Sequence, residues 1–269
     1  MSLGKRLINT GAAAVCNTES VQVFGADSTY SSNIATYQLD GNANGVLTTT
    51  ANRITYGTGV FNQGIAFSGA NSNVETNLAN SNFTSNYSIS FWVNLTNANA
   101  FQNFTGNYKS AGGYGGFTFM SRDVGGGVYR FGFIWWTGVG SNYNFVDNLD
   151  VVATSGTWVH LTATKASSTL PKLYVNGIAN SLSYDNSATD HGTTGENFTI
   201  GNTLNTNYSA GLIDQVRVFN TELTSSQVLD LARGAGSAYN GADSNVTYAS
   251  GYISNAAVFN GSSSKIVVS

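Results

Sequence analysis

The chain has 269 residues, 41% of them hydrophobic, which is enough apolar material for one large domain. Its charged fraction is only 9%, and its net charge is −3. The 11 Lys and Arg residues are scattered, which excludes nucleic acid as a partner because phosphate binding needs a basic surface. No stretch reaches the roughly 18 apolar residues of a membrane-spanning helix, so we expect no membrane insertion. Cys16 is the single cysteine, which excludes an internal disulfide.

Short polar residues and 31 glycines take the place of charge. Asn, Ser and Thr side chains compete for local backbone hydrogen bonds, which disfavours helices and favours turns. The 15 Phe and 14 Tyr residues are typical of strands. We therefore expect many β-strands joined by turns.

Residues 1–30 are small and polar and show no periodicity, so we expect an N-terminal arm. Lys5 and Arg6 resemble the start of a secretion signal. However, Asn9 and Gly11 interrupt the apolar stretch that follows, which leaves it shorter than in a usual signal.

The next segments show the alternation of strands. The clearest is Tyr87–Leu95, in which Ile89, Phe91 and Val93 fall on one face and polar residues fall mostly on the other. Turn-forming residues bound the other predicted strands. These are residues 34–39, 116–121, 129–136, 158–164, 172–176, 198–200 and 211–219.

One short helix is predicted near the end of the domain. Thr224 and Gln227 have the spacing of a capping box before an apolar run, and Gly234 can end the helix. About eight strands and one helix indicate an all-β fold, namely a two-sheet antiparallel jelly-roll sandwich.

An internal repeat follows this domain. The Val/Ile-Thr-Tyr-x-x-Gly motif of residues 54–59 recurs at 246–251, and the Phe-x-Gly motif of 67–69 recurs at 259–261, at a constant offset of 192 residues. A repeat of this length has the size of a domain. We therefore divide the chain into an arm (1–30), a jelly roll (31–234) and a linker with a partial second repeat (235–269).

Four segments of the jelly roll form an ordered set. They are Tyr87-Ser-Ile-Ser-Phe-Trp-Val93, Gly156-Thr-Trp-Val-His-Leu161, Leu173-Tyr-Val-Asn-Gly177 and Gly211-Leu-Ile-Asp-Gln-Val-Arg-Val-Phe219. In this order, and with a helix after them, they resemble the laminin-G-like, concanavalin A-like domain family. The resemblance covers about residues 31–234 and implies the jelly roll of that family.

A narrower resemblance involves Leu39-Asp-Gly-Asn-Ala-Asn44, the two repeated motifs and the opening Met1-Ser-Leu-Gly-Lys-Arg-Leu-Ile-Asn-Thr-Gly11. These segments resemble virion structural proteins and fibres of tailed bacteriophages, in which laminin-G-like domains occur in tandem behind a short arm. The resemblance implies assembly in the host bacterial cytoplasm and a final location in the virion. It also implies attachment to other virion proteins through residues 1–30, and a homo-oligomer.

Catalysis is not expected. Glycoside hydrolases need two carboxylates about 5–9 Å apart, and none of the four Glu residues has a second carboxylate within a few residues of it. His160 and His191 are the only histidines, and neither has an identifiable orienting partner for a general base. We expect His160 to be packed within a strand and His191 to lie in a loop.

Calcium is the metal that the family resemblance implies, since Asp40 and Asp214 match positions where the family often carries Asp. Calcium takes six to eight oxygen ligands. However, residues 201–207 contain no acid, and Gly45 stands where phage relatives commonly have Asp. Two interpretations stay open. Either Asp40 and Asp214 bind calcium, or Asp40 caps a turn, Asp214 bonds backbone at a sheet edge and no cofactor is bound.

Sugar binding depends on aromatic rings beside polar side chains. The candidates are Trp135, Trp136, Tyr143 and Tyr114, which lie in or beside Gly-rich connections. Trp135 and Trp136 are adjacent and must point to opposite faces, so at most one belongs to the main core. The alternative is a core residue plus an interface with a neighbouring chain, where Trp and Tyr are also enriched.

The sequence therefore favours a non-enzymatic phage virion structural protein of the head or tail fibre or decoration type. Its arm would attach to the particle, and its jelly roll would serve assembly and host-glycan binding. The first alternative is a free secreted carbohydrate-binding module. A weaker one is a glycan-degrading enzyme.

Overall fold

The computed structural model describes the predicted jelly roll and part of the repeat after it. The described residues are 32–37, 54–60, 63–70, 72–76, 78–96, 101–108, 114–138, 143–148, 153–179, 182–184, 190–201, 208–233, 242–244, 247–250, 255–258, 262 and 265–267. Within these ranges, no helix is both long and apolar enough to cross a membrane. The predicted arm, residues 1–30, lies outside them.

In the described part of the predicted jelly roll, the structure has sixteen strands and one α-helix. The strands are β1 (Asn33–Tyr37), β2 (Ile54–Thr58), β3 (Gln63–Ser68), β4 (Val74–Glu75), β5 (Tyr87–Leu95), β6 (Phe101–Gly106), β7 (Gly115–Gly125), β8 (Val128–Thr137), β9 (Tyr143–Asn148), β10 (Ala153–Thr154), β11 (Trp158–Lys165), β12 (Lys172–Val175), β13 (Ile178–Ala179), β14 (Leu182–Tyr184), β15 (Thr199–Ile200) and β16 (Ala210–Phe219). A 3-10 turn, Asn80–Phe83, precedes β5, and helix α1, Ser225–Ala232, follows β16. The predicted strands are confirmed to within a few residues.

The first sheet has eight antiparallel strands in the order β13-β12-β11-β5-β16-β3-β2, with β1 also beside β16. One side of β16 pairs with β5, and the other side pairs with β3 and then with β1. The pairing of β16 with β5 is irregular between Asp214 and Arg217, where Gln215 has a φ of 52°. The last strand of the jelly roll therefore lies in the middle of this sheet.

The second sheet has eight antiparallel strands in the order β14-β9-β8-β7-β6-β15-β4, with β10 also beside β8. Strands β7 and β8 form a hairpin around Gly126 and Gly127, whose φ angles of 67° and 73° suit glycine. Their register places Phe117 opposite Trp135 and aligns the inward side chains of both strands.

The core lies between the two sheets. On β5, Ile89, Phe91 and Val93 are buried, as their spacing predicts. Phe91 meets Phe119 of the second sheet edge to face, with ring centroids 4.9 Å apart at 87°, which is a favourable arrangement of aromatic rings. The second sheet supplies most of the large core side chains: Phe104, Phe117, Phe119, Tyr129, Phe131, Phe133 and Trp135. These contacts confirm the predicted two-sheet jelly-roll sandwich.

Helix α1 covers part of the outer face of the first sheet. The Thr224 side chain accepts a hydrogen bond from the backbone of Gln227, and Gln227 Oε1 accepts one from the Thr224 backbone at 2.9 Å. The predicted capping box is therefore present. The buried face of α1 packs with Tyr174 and Phe219 in a second apolar cluster.

The repeat that follows contains β17 (Ala242–Ser244), β18 (Thr247–Ser250), β19 (Asn255–Val258) and β20 (Lys265–Val267). Strands β18 and β19 form a hairpin in which Thr247 is opposite Val258. At the 192-residue offset these two residues correspond to Thr55 and Ala66, which are opposite each other in the hairpin of β2 and β3. The other three pairs correspond in the same way, so the repeat in sequence is also a repeat of hairpin register. The division of the chain into arm, jelly roll and partial repeat stays a prediction.

Candidate functional site

The aromatic residues predicted to bind sugar are separated by the pleat of β8. Trp135 is 1% exposed and lies in the inter-sheet core, with its ring 6.1 Å from that of Phe133. Trp136 points to the outer face, is 8% exposed and lies opposite Tyr143 of β9. Tyr114 is half-buried just before β7. Trp135 is therefore a core residue, which was one of the two alternatives, and the other three stay candidates.

Tyr108, which carries no clear sequence signal, joins these candidates. Its ring centroid lies 3.9 Å from that of Trp136 and 6.4 Å from that of Tyr114. We call Tyr108, Tyr114 and Trp136 the aromatic cluster. Burial, followed by the nearby Tyr114, raises the pKa of Tyr108 above its usual value. Its hydroxyl therefore keeps its proton at neutral pH and can donate a hydrogen bond.

Two buried amides hold the chain just before Tyr108. Asn107 Nδ2 donates to Asn80 Oδ1 at 2.6 Å, and Asn107 Oδ1 accepts from the backbone N–H of Phe117 at 3.1 Å. Both asparagines are buried, so breaking these bonds would leave polar groups without water or a partner. Tyr108 is therefore held against Trp136 without a ligand.

The segment 190–194 crosses the ends of β7 and β8 beside the cluster. The N–H of Gly192 donates to the Trp136 carbonyl at 2.6 Å, and the N–H of Gly116 donates to the Gly192 carbonyl at 2.9 Å. A Cβ atom on Gly192 would lie 2.5 Å from the Cα atom of Gly138, so a larger residue does not fit there. The aromatic cluster thus sits on a preformed backbone network, which is typical of ligand sites.

A second group of polar and aromatic side chains lies on the outer face of the first sheet. His160, Trp92 and Asp214 form a row across β11, β5 and β16. His160 Nε2 lies 2.9 Å from Ser90 Oγ, and the His160 and Trp92 rings are 5.0 Å apart. Burial, followed by Arg217, lowers the pKa of His160 to about 3, so its imidazole is neutral. His160 is a packed histidine, as expected.

This row does not fit calcium. Asp214 is fully buried in a central strand, so its expected position at a sheet edge is wrong: β16 has neighbours on both sides. Its cross-strand neighbour is the indole of Trp92, whereas calcium needs several oxygen ligands. Among the described residues, no three His, Cys, Asp or Glu side chains are grouped to hold a metal. Asp40 lies outside the described residues.

The fold and the sequence together define the family. Residues 67–229 match the Concanavalin A-like lectin/glucanases superfamily in its laminin-G form, which is more than half of the chain. The chain therefore belongs to this family. No curated protein sequence matches it.

Solved structures with the same fold include an arabinanase domain and two neurotoxin domains. One is domain 4 of AbnA, a GH43 extracellular arabinanase from Geobacillus stearothermophilus, in complex with arabinotriose: 20% identity, TM-score 0.50, covering 74% of this chain and 98% of that one. Another is the receptor-binding domain of botulinum neurotoxin D: 17% identity, TM-score 0.52, covering 76% of this chain and 52% of that one. The serotype D ligand-binding domain in complex with N-acetylneuraminic acid has a TM-score of 0.53 at 17% identity, with 76% of this chain and 51% of that one covered. This chain thus spans about half of the neurotoxin domain, and the similarities show the fold.

Proposed function

We propose that the jelly roll is a non-enzymatic sugar-binding domain and that the aromatic cluster is its binding site. The observation that carries the proposal is the packing of Tyr108, Tyr114 and Trp136 outside both apolar cores, at the ends of β6, β7 and β8. Aromatic rings outside a core match the apolar faces of sugar rings, and the Tyr108 hydroxyl supplies a polar partner.

The degree of exposure assigns different roles to the three rings. Trp136 and Tyr108 are only 8% and 9% exposed, so they form the base of the site. Tyr114 is half-buried and supplies the larger accessible surface. Two solved structures of this fold contain bound saccharides, arabinotriose and N-acetylneuraminic acid, which supports a sugar as the ligand.

The test is titration calorimetry of the full chain with neutral oligosaccharides, arabinotriose first, and with the Tyr114→Ala and Trp136→Ala variants. We expect each variant to bind at least about tenfold more weakly, a loss of roughly 1.4 kcal/mol. Trp158→Ala is the matched control, since Trp158 is a half-buried tryptophan on the other sheet. Unchanged binding in both cluster variants, with Tm preserved, would remove the cluster as the site.

We further propose that this domain is part of a tailed-phage virion, as a fibre-type or decoration protein. The resemblance of the opening segment and of the repeated motifs to phage fibres supports this role. The shared hairpin register of the two repeats supports it too, because it indicates tandem domains of one kind. In this role the arm attaches to the particle, and the jelly roll assembles with other copies and binds a host surface glycan.

Mass spectrometry of purified virions, with the copy number measured, tests the virion role. Deletion of residues 2–25 should leave a folded protein that no longer joins particles. Normal incorporation of the deleted protein would refute the docking role of the arm. Absence of the chain from virions, combined with retained sugar binding, would instead favour the free carbohydrate-binding module.

A further inference from the structure

Two arginines lie side by side on the outer face of the second sheet. Arg122 of β7 and Arg130 of β8 are direct cross-strand partners. Tyr129 and Phe131, which flank Arg130, are in the core, so the pleat turns Arg130 and its cross-strand partner Arg122 outward. Arg122 is exposed and Arg130 is half-buried. Side chains at directly opposite positions have Cβ atoms about 4.5–5.5 Å apart, so the two guanidinium groups can reach one ligand.

The charge of this pair is not balanced within the described part of the chain. Neither arginine forms an ion pair with a described residue; the described ion pairs involve Lys165 and Lys172. The nearest carboxylate in sequence, Asp123, bonds the N–H of Gly125 at 2.7 Å within its own turn. Like charges at directly opposite positions destabilise a sheet, so the pair has a cost in stability that a bound anion would remove.

One guanidinium atom also lacks a hydrogen-bond partner. Arg130 Nε is buried from solvent and makes no hydrogen bond with any described residue. Most buried polar atoms are paired, so an unpaired N–H beside a second guanidinium indicates a missing acceptor. The planar guanidinium fork matches a carboxylate, which it binds through two parallel hydrogen bonds.

An aromatic side chain completes the row. Phe101 of β6 lies opposite Arg122 on its other side, and its side chain is 43% exposed. Phe101, Arg122 and Arg130 therefore form a line across three neighbouring strands, which we call the arginine row. An inorganic anion would use only the two guanidinium groups. A ligand that uses all three residues has an anionic group next to an apolar ring face.

We propose that the arginine row binds a carboxylated sugar, with the carboxylate on Arg122 and Arg130 and the apolar face of the sugar ring against Phe101. The row is distinct from the aromatic cluster: Arg130 and Trp136 are six residues apart on β8, which is about 20 Å along a strand. The two sites can therefore be tested, and can fail, independently of each other.

The experiment is titration calorimetry of the full chain with matched acidic and neutral ligands. Tetragalacturonic acid is compared with its methyl ester, and sialyllactose is compared with lactose. The variants are Arg122→Gln, Arg130→Gln and Phe101→Ser. Arg233→Gln is the control, because Arg233 is an exposed arginine beyond α1 that is far from the row in sequence and outside the second sheet.

We expect at least one acidic sugar to bind at least about tenfold more tightly than its neutral partner, with binding weakened by added NaCl. Arg122→Gln and Arg130→Gln should each lower this affinity by about tenfold or more, Phe101→Ser should lower it too, and Arg233→Gln should not. Because Arg122→Gln removes a like-charge contact, its Tm should equal or exceed that of the parent.

Three results would overturn the proposal. They are binding of neither acidic sugar, equal affinity for the acidic and neutral partners, and arginine variants that bind as well as the parent. A sugar site would also be rejected if sodium sulfate displaced the acidic sugar completely and Phe101→Ser bound that sugar with unchanged affinity. Trp136→Ala separates the two proposals, since it should weaken neutral oligosaccharides and leave acidic ones unaffected.

Discussion

The Nε2 atom of His160 lies 2.9 Å from the Oγ atom of Ser90 on the neighbouring strand, and both side chains are fully buried on the outer face of the first sheet. Thr162 and Thr164, on the same face of β11 as His160, are buried as well. His160 is neutral because folding buries it, so its effect on the stability of the protein can be measured.

We expect the stability of the protein to fall in acid because of His160. Its pKa is lowered to about 3 in the folded state, below the ordinary 6.5. Between pH 6.5 and 3 the unfolded chain binds a proton that the folded chain does not. The free energy of unfolding therefore decreases as the pH falls through this window, by up to about 1.4 kcal/mol per pH unit from this group.

Urea denaturation between pH 7 and 4 measures this slope, and His160→Gln should flatten it. His191 adds a contribution of the same sign, since burial lowers its pKa as well. His191→Gln should therefore leave part of the slope in place. Parallel slopes for the parent and His160→Gln would contradict the assignment.

Removing the Asp190 side chain of the Lys165–Asp190 ion pair should lower stability more than removing the Lys165 charge. Lys165 Nζ lies 2.8 Å from Asp190 Oδ1, and the two side chains are 3% and 56% exposed. Asp190→Ala leaves a buried ammonium with the Ala166 carbonyl as its remaining described acceptor, and we expect a loss of about 1 kcal/mol, since solvent screens the exposed carboxylate. Lys165→Met removes the buried charge, so it should cost less. Chemical denaturation of both variants and of the double variant checks this order. A larger loss of stability in Lys165→Met than in Asp190→Ala would contradict it.

Gly59, which is identical to Gly251 of the later repeat, should not tolerate a side chain. A Cβ atom there would lie 2.6 Å from the Gln63 carbonyl carbon and 2.6 Å from Asp214 Oδ2. We expect Gly59→Ala to lower the free energy of unfolding by about 1–3 kcal/mol through overpacking. Gly57→Ala is the matched control, because its Cβ would meet only the flexible end of Leu212. Thermal unfolding should show the smaller effect for Gly57→Ala.

The capping box of α1 should stabilise the outer cluster that contains Tyr174 and Phe219. Thr224→Ala removes the oxygen that accepts the Gln227 N–H, and we expect a loss of about 1 kcal/mol. Thr224→Ser keeps that oxygen and should behave like the parent in urea denaturation. Equal losses in the two variants would show that packing of the Thr224 methyl group matters instead.

The alternation of β5 was predictable from the sequence, and strand β6 was not. Tyr87–Leu95 has the predicted bounds because every second residue is apolar. Strand β6 was not predicted, because its pairing shifts between Asn103 and Thr105 and polar residues interrupt the alternation.

The surroundings of individual side chains could not be predicted from the sequence, because they depend on contacts between residues that are far apart in the chain. The opposite orientations of Trp135 and Trp136 follow from the pleat, but which of them faces the core depends on the register of β8 with β7. The burial of Ser88 and Ser90 on the outer face of β5 could not be anticipated either. The adjacency of Arg122 and Arg130 likewise becomes visible only once that register is known.

The central position of β16 has a consequence for how the chain folds during synthesis. Its partners β3 and β5 leave the ribosome well over a hundred residues before β16 does, so their facing edges have no native partner while the middle of the domain is made. Such long-range pairing slows folding and exposes strand edges to aggregation. Nascent chains that stop before Phe219 should therefore stay protease-sensitive and depend on chaperones, and protection should arise in one late step.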